Sequence, residues 1–170
     1  ALTYSWFMEA RTLHAPLDVL SAANRPQGIE IATLTTFDIP ALAVLTLEAY
    51  DNAVTPEALL ETSEELRLTF EGAFGDTTED SFVGAWDGGT LVGAILVVRE
   101  SPWDDVPNGP FVVDLIVAPD YRRRGIATAL VSEVASRCTH WGFDSLALRL
   151  DARHGGAREL YSMLGFEEIA

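Results

Sequence analysis

Residues Val117–Thr128 read VAPDYRRRGIAT, a run whose residue types could hold an anion. Phe111–Val117 (FVVDLIV) is nearly all apolar and is expected to be a strand buried on both faces, stopped by Pro119. A helix is expected to start at Gly125, because Ile126, Leu130, Val134 and Cys138 recur at i+4 beside Ala127, Val131 and Ala135. The first N–H groups of a helix have no partner within it, and the macrodipole adds about half a positive charge there. Gly125 lets a phosphate approach the backbone, and small Ala127 and Thr128 keep the first turn open. Arg122, Arg123 and Arg124 add three consecutive cations. A plain surface arginine cluster at a helix start is the other reading of the same residues.

Asp114 stands out upstream as the only charged residue of the apolar strand. Burial would raise its pKa toward a range useful for proton transfer. The alternative is a structural Asp that bonds local backbone, for instance at a β-bulge. Other chemistries lack their residues. There is no Gly-x-Ser-x-Gly elbow, no His-Glu-x-x-His and no convincing Cys/His pair. The single cysteine, Cys138, falls on the inward stripe of its helix and reads as core.

Arg122-x-x-Gly125-x-Ala127, preceded by a buried strand and Pro119, resembles the acetyl-CoA signature of the GNAT superfamily of N-acetyltransferases. Leu160-Tyr161-Ser162-Met163-Leu164-Gly165-Phe166 is similar to that family's second motif. The resemblance covers about Ile29 to Ile169. It implies acetyl-CoA as co-substrate, with its pyrophosphate on the backbone of Arg123–Thr128, Ile126 included, beside Arg122. It implies that Leu115, Ile116 and Val117 pair with the pantetheine arm as an added strand would. The N–H near Val117 would polarise the thioester carbonyl. Tyr161 would donate a proton to the departing thiolate, a group that titrates near ~8.5 as a free thiol against ~10 for tyrosine. Asp114 is the candidate general base, and a water chain to Asp114, Glu30 or another acid is a further option; the strand before the last helix offers Arg149, which cannot accept a proton. His154 stands where the motif usually has asparagine, seven residues before the tyrosine. It would bond the cofactor, serve as the base, or have no role.

The elements that must position these groups can be read from pattern. Ile29–Leu34 reads as a strand. Asp38 and Pro40 open a helix with Ile39, Leu42, Ala43, Leu47 and Tyr50 inward, and Thr55-Pro56-Glu57 opens a second with Leu59, Leu66 and Phe70 inward. Ser81–Trp86 and Thr90–Val98 flank Asp87-Gly88-Gly89 as a hairpin. Ser145–Asp151 alternates as a strand, and a helix from Gly155-Gly156 ends at Gly165 before a short strand, Phe166–Ile169. The expected fold is α/β: a single GNAT-like domain over 29–170 with a central mixed, mostly antiparallel twisted sheet and helices on both faces. Residues 1–28 form an N-terminal extension. Either Leu2–Met8 supplies an edge strand, to its own molecule or to a neighbour in a homodimer, or 1–28 is the end of an upstream domain.

Composition narrows the function. All 11 basic residues are arginine, against 26 acids, for a net charge of −15. The absence of lysine excludes a lysine Schiff base and a Walker A loop. The acidity argues against nucleic acid, which demands many cations. Residues 1–120 hold 4 Arg and 20 acids, while residues 121–170 hold 7 Arg and 6 acids. The acidic part carries most of the expected acceptor side and so favours a cationic amine. No apolar run approaches the ~18–20 residues of a membrane helix, and the expected setting is cytoplasmic. The sequence therefore predicts direct acetyl transfer to a primary amine, a small cationic amine or a protein N-terminus. A catalytically idle CoA-binding or regulatory module is the competing reading. Trp103 would line the acceptor site or simply pack.

Overall fold

In a computed structural model of the chain, residues 11–20, 24–101, 103–150 and 157–169 are described. The β-prone runs form β1 (Arg11–Pro16), β2 (Glu30–Thr33), β3 (Phe82–Asp87), β4 (Thr90–Val98), β5 (Phe111–Val117), β6 (Ser145–Leu150) and β7 (Glu167–Glu168). They join in one open sheet of order β2-β3-β4-β5-β6-β1-β7. Neighbours are antiparallel except β5 and β6, which run parallel. Helices α1 (Leu17–Leu20), α2 (Ile39–Ala49), α3 (Pro56–Phe70), α4 (Ile126–His140) and α5 (Ala157–Leu164) flank both faces. Among the described residues, no helix is long and apolar enough to cross a membrane.

Local grammar sets the helices that frame the site. Thr55 caps α3, its hydroxyl accepting from the Ala58 N–H at 3.1 Å, with Pro56 at the first helical position. Asp38 precedes α2 and accepts from the Thr35 N–H at 2.8 Å. The apolar stripe of α4 packs Ile126, Leu130, Val134 and Cys138 into the core, each fully buried. α4 comes close to the sheet at Gly93 of β4. A Cβ there would lie 2.8 Å from Ile126 Cγ2 and 3.2 Å from Leu130 Cδ1. Gly93→Ala is therefore expected to destabilise by about 1–3 kcal/mol through overpacking, read as a lower midpoint in urea with an unchanged slope.

β5 departs from a regular strand in two places. In its pairing with β4, Asp114 lies opposite Leu96 but Val112 lies opposite Val97, so Val113 is an extra, bulged residue. In its pairing with β6, only Phe111 and Val112 have partners, Ala147 and Leu148. Beyond Val112 the two parallel strands part. This corrects the expectation of a strand buried on both faces. Val113, Asp114, Leu115 and Val117 are only half-buried, because the parting removes their neighbour on one side.

Within the segment 1–28, Arg11–Pro16 enters the same sheet between β6 and β7, pairing with β6 from Arg11 opposite Leu150 to Pro16 opposite Ser145. Leu2–Met8, the stretch expected to supply an edge strand, lies outside the described residues.

Candidate functional site

The parting of β5 from β6 exposes one edge of β5, and strand alternation decides which groups face it. In an antiparallel pair, a residue's N–H and C=O point to the same side, and successive residues alternate. The Ala118 N–H donates to Val92 O of β4 at 2.8 Å. Ile116 therefore also turns its backbone to β4, while Leu115 and Val117 turn theirs into the gap. Ile116 is in addition 5% exposed and part of the core. Of the three residues expected to line the cofactor, Leu115 and Val117 present backbone groups to the gap and Ile116 does not.

The segment after β5 runs through a short 3-10 turn, Pro119–Tyr121, to the start of α4. Arg123 and Gly125 both adopt the left-handed region, with φ of 63° and 82°. For Arg123 this costs roughly 1–2 kcal/mol, so the loop is held against its own preference. Gly125 is the N-cap residue of α4 and offers no side chain to cap it. The first bond inside the helix runs from the Ala129 N–H to Gly125 O at 3.0 Å. The N–H groups of Ile126, Ala127 and Thr128 thus have no partner within α4, as an anion site requires. The Ile126 side chain itself is buried in the core.

The three arginines separate into different tasks. Arg122 was expected beside the pyrophosphate. Its Nε instead donates to Val117 O at 3.2 Å, and its Nη2 donates to Ala49 O at 2.7 Å. A guanidinium supplies several donors in a fixed fork, which suits it to bridging two carbonyls. It straps the C-terminal end of α2 to the end of β5. Arg124 lies 4.8 Å over the Tyr121 ring, and the Tyr121 hydroxyl donates to Asp87 at 2.6 Å. Arg123 is exposed on the loop.

Asp114, beside the bulge, is half-buried. Its Oδ1 accepts a hydrogen bond from the Tyr50 hydroxyl at 2.5 Å. Tyr161 of α5 is 5% exposed and packs edge-on against Phe166 at 5.5 Å. Burial pushes its hydroxyl well above the usual tyrosine range, and the nearby Asp114 carboxylate adds to that rise. Three elements, α2, β5 and α5, therefore bring two phenols and one carboxylate together where β5 leaves β6.

Other expected residues fall elsewhere. His154 lies outside the described residues. Glu30 is exposed on β2, at the sheet edge and three strand spacings of ~4.8 Å from β5, about 14 Å in all. Arg149 of β6 is paired with Asp105 and also reaches Thr12 Oγ1 at 3.4 Å. Trp103 packs on Phe111 with centroids 5.5 Å apart, beside Val98 and Val106. Sequence reasoning missed Tyr50 by counting it with the apolar stripe of α2. Its position at the helix end, with a polar tip on an apolar ring, is the signal that could have found it.

The profile of the acetyltransferase (GNAT) family matches residues 45–166. Mycothiol acetyltransferase of Kocuria rhizophila is 34% identical over 100 residues, which cover 53% of this chain and 32% of that protein. A GCN5-related N-acetyltransferase of Sphaerobacter thermophilus superposes with a TM-score of 0.68 at 24% identity, covering 95% of this chain and 48% of that one. AAC(6')-Iy in complex with the bisubstrate analog CoA-S-monomethyl-acetylneamine superposes with a TM-score of 0.61 at 20% identity, covering 84% and 92%. The two solved structures share the fold. The matched part of this chain spans about a third of the mycothiol enzyme, and the chain spans about half of the Sphaerobacter protein.

Proposed function

The chain belongs to the acetyltransferase (GNAT) family, and from that premise we propose that it moves an acetyl group from acetyl-CoA to a primary amine, directly and within one ternary complex. The observation that carries this reading is the gap between β5 and β6 beyond Val112, open beside the uncapped start of α4. The gap suits an extended pantetheine chain, and the helix start suits a pyrophosphate. The acceptor is a small cationic amine or a protein N-terminus. The excess of acids over residues 1–120 supports a cationic one.

Acetyl-CoA brings an already activated thioester, so the chain supplies no nucleophile. The N–H groups of Gly125–Thr128 and the Arg123 guanidinium hold the pyrophosphate. Arg122 occupies Val117 O, which leaves the Val117 N–H and the Leu115 backbone for contacts along the gap. The Val117 N–H donates to the carbonyl oxygen as negative charge grows on it. The acceptor ammonium first releases one proton to solvent, and Asp114 takes the second, which the neutral nitrogen loses as it bonds to the acetyl carbon. Tyr161 donates a hydrogen bond to the sulfur as the carbon–sulfur bond breaks. A tyrosine is a weaker acid than a thiol, ~10 against ~8.5, and burial widens the difference. Tyr161 therefore keeps its proton, and the thiolate is protonated by the proton that Asp114 gained, relayed through solvent.

Arg122 and Arg123 should separate on mutation. Arg122→Gln is expected to lower the urea midpoint while leaving CoA affinity within a few-fold, since its donors serve carbonyls. Arg123→Gln is expected to weaken CoA by about 10-fold at low ionic strength and less in 0.5 M salt. Titration calorimetry beside denaturation checks both.

The reading itself is tested by thiol release from acetyl-CoA with a panel of amines, including 1,5-diaminopentane, neamine and an alanyl peptide, beside thermal shift with CoA. Release with an amine supports acetyl transfer. A raised melting temperature without release for any acceptor identifies an idle CoA-binding module instead, and the absence of both responses removes the cofactor assignment as well.

A further inference from the structure

We propose that Tyr50 is a positioning residue for this reaction, its hydroxyl holding the Asp114 carboxylate ionised and in place where β5 parts from β6. The inference rests on the reading that Asp114 takes the acceptor's proton. The contact is 2.5 Å from the Tyr50 hydroxyl to Asp114 Oδ1, at the short end for a hydroxyl bonded to a carboxylate. Both residues are half-buried, so water competes poorly for either.

The bond is held from both sides. Tyr50 is the C-cap of α2, its own N–H donating to Thr46 O at 3.2 Å. The preceding carbonyl, Ala49 O, is strapped by Arg122 to Val117 of β5. The end of α2 therefore meets β5 at two points three residues apart, Asp114 through a side chain and Val117 through a carbonyl. On the other side, the bulge at Val113 sets the direction in which Asp114 leaves the strand. A phenol fixed on a helix end restrains the carboxylate without adding a charge.

Among the described residues, Asp114 is met by Tyr50 from α2 and by Tyr161 from α5, whose hydroxyl its charge affects. The residue opposite it on β4 is Leu96. The side chains that α4 buries against the sheet are Ile126, Ala129, Leu130, Val131, Val134, Ala135 and Cys138, of which only the thiol titrates. Two arginines lie on adjoining segments. Arg122 serves two backbone carbonyls, and Arg149 of β6 is paired with Asp105. A hydrogen bond donated to a carboxylate favours its charged form, so removing the donor disfavours it.

The test is Tyr50→Phe, which keeps the ring and removes the donor. Carbon-13 titration of the Asp114 carboxyl carbon needs no acceptor. Its midpoint is expected to move up by about one pH unit in the variant. The acid limb of kcat/KM for thiol release with 1,5-diaminopentane should move up by the same amount. At the wild-type midpoint the loss should be about 5-fold, approaching about 10-fold well below it, with KM for acetyl-CoA within a few-fold. An unmoved carboxyl titration overturns the inference whatever the enzyme does. A moved titration with an unmoved limb overturns it as well, since the bond would then be structural. Asp114→Asn separates the underlying reading, because full turnover in that variant removes Asp114 as base while the Tyr50→Phe titration still reports the bond. Should diaminopentane release no thiol with the wild type, the acid limb is read with neamine or the alanyl peptide in its place.

Discussion

Tyr161→Phe is expected to lower the rate of the acetyl-transfer step by about 10²-fold, with KM for acetyl-CoA changed only a few-fold. The magnitude is that of losing one preorganised donor to charge that develops in the transition state, about 10²–10³. The substitution removes only the hydroxyl. The ring keeps its edge-on packing against Phe166 and its place in the core, so folding should survive. Single-turnover thiol release isolates the step, because slow product release would hide the effect. The pH dependence gives a second check. Burial and the Asp114 carboxylate raise the hydroxyl's pKa, so the group stays protonated above the ordinary tyrosine range. The wild-type rate should therefore hold on the alkaline side through pH ~10. A fall centred near ~10 would mean that a solvated tyrosine controls the step, and unchanged turnover in Tyr161→Phe with chemistry limiting would remove its role.

The second large effect belongs to Gly125. Its φ of 82° favours glycine, but Asn and Asp tolerate that region better than other residues. There is room for a side chain, since a Cβ would come no nearer than 3.8 Å to the packing neighbour it meets, Pro26 Cγ. Gly125→Asn and Gly125→Asp therefore make a matched pair that differs in charge. Asn is expected to raise the CoA dissociation constant by a few-fold, through crowding at the helix start. Asp places a negative charge about 5 Å from a bound phosphate. At an effective dielectric of about 20 that costs about 3 kcal/mol, or about 10² in affinity beyond the Asn variant. Titration calorimetry in low salt reads the difference. Equal affinities for the two variants would show that the anion does not sit at this helix start.

Several elements of this site were legible because their signals are local. Thr55-Pro56 marks the start of α3, the Asp87-Gly88-Gly89 turn marks the β3–β4 hairpin, and the i+4 stripe from Ile126 to Cys138 marks α4. The boundaries of Phe111–Val117 are likewise set by its own apolar run. What the sequence hides is decided by distant partners. Arg11–Pro16 is a short run with a proline at its end, and only pairing with β6 and β7 makes it an internal strand. The bulge at Val113 and the parting of β5 from β6 have no residue signature, since a Val in a strand reads the same whether paired or bulged. Arg122 was readable as a member of the basic run. Its engagement with Ala49 O and Val117 O depends on where α2 ends in space. Tyr50 was hidden for the same reason, because periodicity reports the face a ring takes and not the partner its hydroxyl finds.

Acetyl-CoA is proposed to lie in the gap between β5 and β6, with its pyrophosphate at the start of α4. A crystal structure of the chain with CoA tests this placement most directly. The pyrophosphate is expected on the N–H groups of Gly125–Thr128 and the pantetheine arm along Leu115 and Val117, with its sulfur near Tyr161 and Asp114. CoA bound elsewhere, for instance in the groove between β1 and the C-terminal end of α4 that His14, Ser136 and His140 line, would contradict it.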